Sequence, residues 1–319
     1  MIRTAESVTP MHPDKVCDRI SDAILDDALR QDPNSRVAIE TMGGHGIITI
    51  TGEMHTNGFV NCHEIARRVV ADAIGVTVNV GHQSRDIARG VDSGGAGDQG
   101  IVVGYACDDN EWLIPHEHYL ARSLCQHIYS ECPADGKTQI TMGEGGVDSI
   151  LASFNGVRND ILMDLISGWC KHNNIPIETK TMCNPAGYWA CGGFDADTGL
   201  TGRKLVVDNY GPRIPVGGGA YSGKDPSKVD RSAAYMARKI ARDILLAENA
   251  HKVYVYLAYA IGISQPTMAT SLIDGKERPV LGYDLTPTGI IEYLGLRSPI
   301  YERTAEWGHY GHSGFAWER

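Results

Sequence analysis

The sequence predicts an α+β protein in which strand hairpins and helices alternate through about three rounds, and three observations carry that reading. Runs rich in β-branched residues recur along all 319 residues: RVAIETM, GIITITGEMHT, IVVGYA, TQITM and VYVYLAYAIGI. Stretches with helical spacing lie between them, at 13–31, 62–74, 111–131, within NDILMDLISGWCKH, and at 229–249. The strands come in hairpins rather than in strict βαβ alternation, which favours mixed sheets over a doubly wound one. A chain of this length suits two or three domains.

Taken in order, 13–31 sets Val16, Ile20, Ile24 and Leu25 on one helix face, with Pro13 suited to the first turn. RVAIETM and GIITITGEMHT read as a strand pair turned at Gly43-Gly44. Residues 62–74 return to helical periodicity. A Gly-rich segment at 90–100 then leads into the strand IVVGYA. Residues 111–131 read as helix, 138–142 as strand, and 147–182 as a short strand with one amphipathic helix. A second Gly-dense stretch, from Gly187 to Gly223, holds most of the unusual residues. It ends in the helix at 229–249, which feeds a buried strand at 253–263. The two Gly-rich stretches, each with acids and each ahead of a strand or helix, suggest a weak internal repeat.

Hydrophobic residues make up 42% and charged residues 21%, an ordinary globular composition. A formal charge of -10 argues against a nucleic-acid or anionic-membrane partner, so any bound anion must meet a local basic pocket. The eight cysteines, at 17, 62, 107, 125, 132, 170, 183 and 191, form no C-x-x-C or zinc-finger spacing. They read as reduced, mostly buried thiols of a cytoplasmic protein. MIRTAESVTPMHPDK lacks the apolar core of a secretory signal. VYVYLAYAIGI is about half the ~20 residues that a bilayer span needs.

Four stretches carry chemistry. His12-Pro13-Asp14-Lys15 stands at a predicted helix start, where free N–H groups favour an anion. His12 and Lys15 add donors there and Asp14 could hold Mg2+; plain helix capping is the alternative. GGGAYSGKD at 217–225 satisfies the G-x-x-x-x-G-K part of a P-loop through Gly218, Gly223 and Lys224. Asp225 replaces the metal-binding hydroxyl and Pro226 follows, so a phosphate loop of another kind fits better. Gly95 to Gly100 matches G-x-G-x-x-G but precedes a strand instead of opening a helix, which excludes a dinucleotide fingerprint. Asp197 to Lys204 combines an acid with Arg203-Lys204 in a glycine frame, open between a charged hairpin tip and a pocket of both signs.

Together these stretches resemble a known family. ESVTPMHPDKVCDRISDAILDDALRQDPNSRVAIET, GAGDQGIVVGYA, DTGLTGRKLVVDNYG, GGGAYSGKDPSKVDRSAAYMAR, YERTAEWGHYG and AWE are similar, in order, to the signatures of S-adenosylmethionine synthetases. The likeness is weakest over 143–182 and 270–296. It implies three similar sub-domains in pseudo-threefold arrangement, with mixed sheets and helices on one face. Their boundaries would fall at 1–88, 97–190 and 191–319.

The resemblance also implies roles. His12 would contact the triphosphate, and Asp14 and Asp230 would serve two Mg2+ ions per site, with Glu40 linked to K+. Glu53, Gln83, Asp98 and Lys228 would hold methionine, as would Asp197, which also reaches the ATP ribose. Asp135, Gly136 and Lys137 would bind nucleotide. Tyr188 and Trp189 would meet adenine, Trp189 standing where the family pattern has phenylalanine. Arg203, Lys204 and Lys224 would surround the polyphosphate, and Ala220 would offer a backbone contact to ATP. The implied reaction is attack of the methionine sulfur on C5′ of ATP, loss of the whole triphosphate, and its hydrolysis to diphosphate and phosphate. The implied assembly is at least a homodimer, with active sites between subunits and a large, flat, largely apolar interface.

The chain departs from the pattern in three places. Pro10-Met11 replaces Glu-Gly before His12. The segment from Gln83 to Asp98, a gate over the active site in the family, is shortened. The middle of the chain is trimmed.

Overall fold

A computed structural model describes residues 1–70, 74–82 and 94–319. The described strands, several with alternating burial, build three four-stranded mixed or antiparallel sheets. In the first, β1 (Arg3–Val8) pairs antiparallel with β6 (Gly136–Gly143), followed by β7 (Gly146–Phe154) and a parallel β8 (Lys180–Cys183). The second has the order β4 (Gly75–Gly81), β3 (Ile47–His55), β2 (Arg36–Gly44) and β9 (Gly199–Leu200). The third has the order β12 (Lys276–Pro279), β11 (Met268–Ile273), β10 (Lys252–Tyr259) and β5 (Gly100–Cys107).

Among the described residues, helices cover each sheet. Helices α1 (Pro13–Gln31) and α2 (Cys62–Val70) serve the second sheet; α3 (His116–Glu131) and α4 (Asn159–His172) serve the first. The short α5 (Leu205–Asp208) follows β9. On the third sheet, α6 (Val229–Glu248) packs on β5 and β10, and α7 (Pro287–Leu294) packs on α6. Helix α8 (Thr304–Trp307) lies against α1. At Gly104 an added Cβ would fall 2.1 Å from the Ala237 backbone, so α6 rests directly on β5.

The sheets are not consecutive pieces of chain. β1 crosses into the sheet built from 136–183, β9 into the sheet of 36–81, and β5 into the sheet of 252–279. This exchange joins the second and third sheets over one buried core, while the first encloses a second core of its own.

Helix α1 holds the assembly by an unusual face. Asp14, Asp18, Asp22 and Asp26 follow one another four residues apart, and all are buried. Each carboxylate accepts backbone N–H groups from a distant segment. Asp14 takes Leu200 (2.9 Å), Asp18 takes Gly202 (2.8 Å), Asp22 takes Gly223 (2.8 Å), and Asp26 takes Tyr301 and Glu302 (both 2.9 Å). Asp22 also forms a two-pronged pair with Arg231 at 2.6 and 2.9 Å.

Several sequence expectations need correction. The β2–β3 turn lies at His45-Gly46, both with positive φ, not at Gly43-Gly44. Gly43 and Gly44 belong to the ladder, where bare backbone admits Phe194 and Thr198 from above. The helix expected from 111 starts at His116, behind Pro115. The strand expected to reach 263 ends at Tyr259; beyond it, Gly262 and Ile263 exchange backbone hydrogen bonds with Ala96.

Candidate active site

The first group of functional side chains gathers where α1 begins. His12 is the N-cap, and its Nδ1 accepts the Asp14 N–H at 3.2 Å. Capping and function are therefore not alternatives here, because the cap fixes the ring. With Nδ1 accepting, the neutral imidazole carries its proton on Nε2. Burial, then the charges of Lys204 and Lys137, push the His12 pKa down to about 3. Asp14 sits beside it, 1% exposed, with Lys204 Nζ at 2.5 Å and Arg203 Nε at 3.5 Å. Burial pushes the Asp14 carboxyl up, but the bonds from Lys204 and Leu200 outweigh it and the pKa falls below the usual range.

The close approach of β9 depends on Gly199, where a Cβ would lie 2.2 Å from the Pro13 carbonyl oxygen. Asp197 and Lys137 stand exposed nearby, and Asp135 is half-buried. Burial raises the Asp135 pKa although its Oδ2 accepts the Gly193 N–H at 2.9 Å. Gly136 is buried between Thr9, which bonds both its N–H and its carbonyl, and the Phe154 ring.

Backbone bonds tie this region to the aromatic pair. Asn155 N–H donates to the Asp135 carbonyl, and Asn155 Nδ2 and Gly156 N–H both donate to the Trp189 carbonyl. The Trp189 indole donates to Asn184 Oδ1 at 3.2 Å, while Tyr188 is 60% exposed. Beside them opens a cavity of about 590 Å³ lined by Met11, Val16, Asp135, Asn155, Phe194 and Val70, among others. Sequence reasoning did not single out Asn155 or Phe194. An aromatic standing alone in Gly192-Gly193-Phe194 was the available signal.

The second group lies over the third sheet. A cavity of about 900 Å³ is lined by Asp98, Gly217 to Gly219, Lys224, Asp230 and Tyr256, with neighbouring strand residues. Lys224 Nζ lies 2.6 Å from Asp230 Oδ2, in the first turn of α6. The loop cannot act as a P-loop. Its residues 223–225 pair with β2 through Ile39 N–H to Gly223 O and Asp225 N–H to Val37 O. The Asp225 carboxylate is consumed by the N–H groups of Val37 and Ser227 and by Lys228. Lys228 thus stands paired at the N-cap of α6.

The two groups meet where Ala220 packs on Gly202. In a single chain, Asp14 and Asp230 belong to different groups. Glu40 and Glu53 share a third location, the open face of β2 and β3. Gln83 and most of the shortened gate lie outside the described residues. Lys15 is corrected: it offers no donor to a ligand, being 1% exposed and bonded to Asp208 (2.5 Å) and Asp18 (3.3 Å). Among the described residues, no helix is long and apolar enough to cross a membrane.

Known proteins resemble this chain along nearly its whole length. Residues 1–88 match the S-adenosylmethionine synthetase N-terminal domain, 93–188 the central domain and 191–319 the C-terminal domain. The S-adenosylmethionine synthase of Bifidobacterium adolescentis is 39% identical, over 99% of this chain and 95% of the relative. Those of Desulforudis audaxviator and Brachyspira hyodysenteriae are 40% and 38% identical, with the same coverage. The first of these alignments runs over 387 positions against 319 residues here, so this is a compact member. The chain belongs to the S-adenosylmethionine synthetase family and is an enzyme of S-adenosylmethionine synthesis.

Proposed function

We propose that the enzyme converts ATP, L-methionine and water to S-adenosylmethionine, phosphate and diphosphate at a site shared by two subunits. The α1 group of one subunit would face the glycine-loop group of the other. The observation that carries this is the division of acid–cation pairs: Asp14 with Lys204 and Arg203 on one surface, Asp230 with Lys224 on another.

The sulfur of methionine is neutral and nucleophilic and needs no general base. The demand falls on the leaving triphosphate, which gains a negative charge as the C5′–O bond breaks. Lys137, Arg203, Lys204 and Lys224 stabilise that charge in a half-enclosed site, where such interactions are worth more than in water. His12, neutral with its proton on Nε2, donates a hydrogen bond to the triphosphate without adding a charge that could pair elsewhere. Asp135, Tyr188, Trp189, Asp197 and Ala220 hold the nucleoside end, where buried Gly136 fixes the start of the strand behind Asp135. Glu53, Gln83, Asp98, Asp197 and Lys228 hold methionine and aim the sulfur, a task in which ~1 Å of error costs about 100-fold.

Among the described residues there is no group of three or more His, Cys, Asp or Glu side chains that could hold a metal ion. That suits Mg2+, which binds through one or two carboxylates, phosphate oxygens and water. Asp14 and Asp230 are such single carboxylates, each next to a lysine, and Mg2+ there would neutralise phosphate charge. Glu40 is exposed on an open sheet face. A K+ site there would need further oxygen donors, and we derive no step through it.

All eight cysteines are free thiols, which supports a cytoplasmic setting. Support for a dimer comes from the outer face of the third sheet, where Ile101 and Met268 are exposed beside the half-buried Tyr254 and Tyr256. Dimer or tetramer is decided by sedimentation. The decisive assay is incubation with ATP, methionine, Mg2+ and K+ followed by mass spectrometry. S-adenosylmethionine with diphosphate and phosphate is expected. ADP would instead indicate a kinase, and unchanged ATP a sensor.

A further inference from the structure

We infer that Lys15, Asp18 and Asp208 form a buried positioning unit that sets where Arg203 and Lys204 stand relative to Asp14 and His12. The inference rests on the reading of Arg203 and Lys204 as the triphosphate cations.

Lys15 and Asp18 are each 1% exposed and Asp208 5%, so three charged side chains lie inside the protein. Lys15 Nζ donates to Asp208 Oδ2 at 2.5 Å and to Asp18 Oδ2 at 3.3 Å. Asp18 Oδ1 accepts the Gly202 N–H at 2.8 Å. Buried ion pairs of this kind add little net stability over apolar side chains of the same volume. Their placement along the chain is what gives these a task. Gly202 immediately precedes Arg203-Lys204, and Asp208 closes the α5 turn that follows, where its N–H donates to the Lys204 carbonyl at 2.8 Å. The cation pair is therefore clamped on both sides to the first turns of α1.

That helix also presents His12 and Asp14. Asp14 holds Leu200 on the near side of the same loop. Helix start and cation loop thus form one rigid piece. Loss of the clamp leaves Arg203 and Lys204 present but free to move by an ångström or more. All three side chains are buried away from the site's open side, so the unit acts through Arg203 and Lys204.

The test uses Asp208→Asn in the full-length enzyme, which keeps side-chain shape and removes the charge facing Lys15. The expected result is a fall in kcat of about 100-fold, the cost of ~1 Å misplacement. Binding of inorganic tripolyphosphate with Mg2+ should weaken together with kcat, while the KM for methionine stays within about twofold. Circular dichroism should show a folded protein. A folded Asp208→Asn enzyme with kcat within about threefold of the parent overturns the inference. So does a methionine KM that rises in step with the tripolyphosphate Kd, since that marks general loosening. If Asp208→Asn does not fold, Asp18→Asn carries the same test and the same outcomes. Lys204→Met separates the two levels. Full activity in that variant overturns the cation reading and the inference with it. A crippled Lys204→Met beside a normal Asp208→Asn overturns the inference alone.

Discussion

The two charged groups are built in different ways. The α1 group stands on secondary structure: a capped helix start, a two-residue strand and a one-turn helix, held by buried carboxylates. The loop group stands on backbone freedom. At Gly219 a Cβ would lie 2.2 Å from the Asp230 carboxylate, and at Gly217 it would lie 2.2 Å from the Ile101 carbonyl oxygen. One half is rigid because side chains grip backbone. The other is close-fitting because side chains are missing. A polyphosphate clamp can be made from either material, provided that acid and cation stay adjacent.

Both halves hang on α1, and Asp22 is where they join. It bonds the loop at Gly223 and pairs with Arg231 of α6 at 0% exposure for both side chains. Asp22→Ala leaves a buried guanidinium with one counter-charge removed, so a loss of about 3–5 kcal/mol is expected in a urea unfolding curve. The comparison predicts that the loop half fails first. In partly destabilising urea, hydrogen exchange at 217–225 should accelerate before exchange at 199–204. Equal acceleration would mean that the halves are not separately supported.

The next effect concerns catalysis. Lys204→Ala and Lys224→Ala each should lower kcat by about 10²–10³, the range for losing one preorganised donor to a developing anion. Mixed subunits sharpen the comparison. A heterodimer carrying one substitution in each chain has one doubly altered site and one intact site, and should regain about half the activity of a parental dimer, on the two-fold symmetry expected of such pairs. Absence of recovery in purified heterodimers would place both lysines in the same subunit's site.

The unequal construction also explains what could be read from the sequence. Pro13 and the spacing of Ile20 and Ile24 announce α1, and local periodicity finds the strands. The partners of β1, β5 and β9 are not local: each joins a sheet made elsewhere in the chain, and no periodicity encodes that. The family signatures point to His12, Asp14, Lys204 and Lys224 and imply a site between subunits, but not the Asp14–Lys204 and Asp230–Lys224 pairs that one chain forms. The acids at 14, 18, 22 and 26 were visible at four-residue spacing, but charge ordinarily marks a solvated face. Only the distant N–H groups they accept reveal that face as buried. Lys15 misled for the same reason.

The loop half has a weak point where it meets β2. Gly223 has φ +80°, and a Cβ there would lie 1.9 Å from the Ile39 carbonyl oxygen. Gly223→Ala therefore combines a left-handed conformation with a backbone clash. It should cost about 1–3 kcal/mol for the conformation alone, with kcat falling because Lys224 moves. Gly46→Ala is the control, since its φ of +83° meets nothing within 4 Å. Similar losses in both would show that strain at φ > 0, and not the contact with β2, governs the loop.

The smallest effect per step is a titration beneath the loop. His309 is 1% exposed, packs against Tyr221, and shares a hydrogen bond of 3.0 Å with Tyr235 Oη through Nδ1. Burial, then the charges of Arg231 and Lys15, hold its pKa well below 6.5. Below pH 6.5 the unfolded chain gains a proton at this residue and the folded chain does not. Stability must then fall as the pH falls, by about 1.4 kcal/mol per pH unit for one such group. Asp26 works in the opposite sense, since burial raises its pKa to about 6 and the folded chain takes up the proton first. Urea midpoints of parent and His309→Gln between pH 6.5 and 4.5 isolate the histidine term. The variant, whatever its stability at pH 7, should lose less on acidification. Parallel slopes would mean that His309 titrates normally, and that the packing beneath Tyr221 is loose enough to admit water.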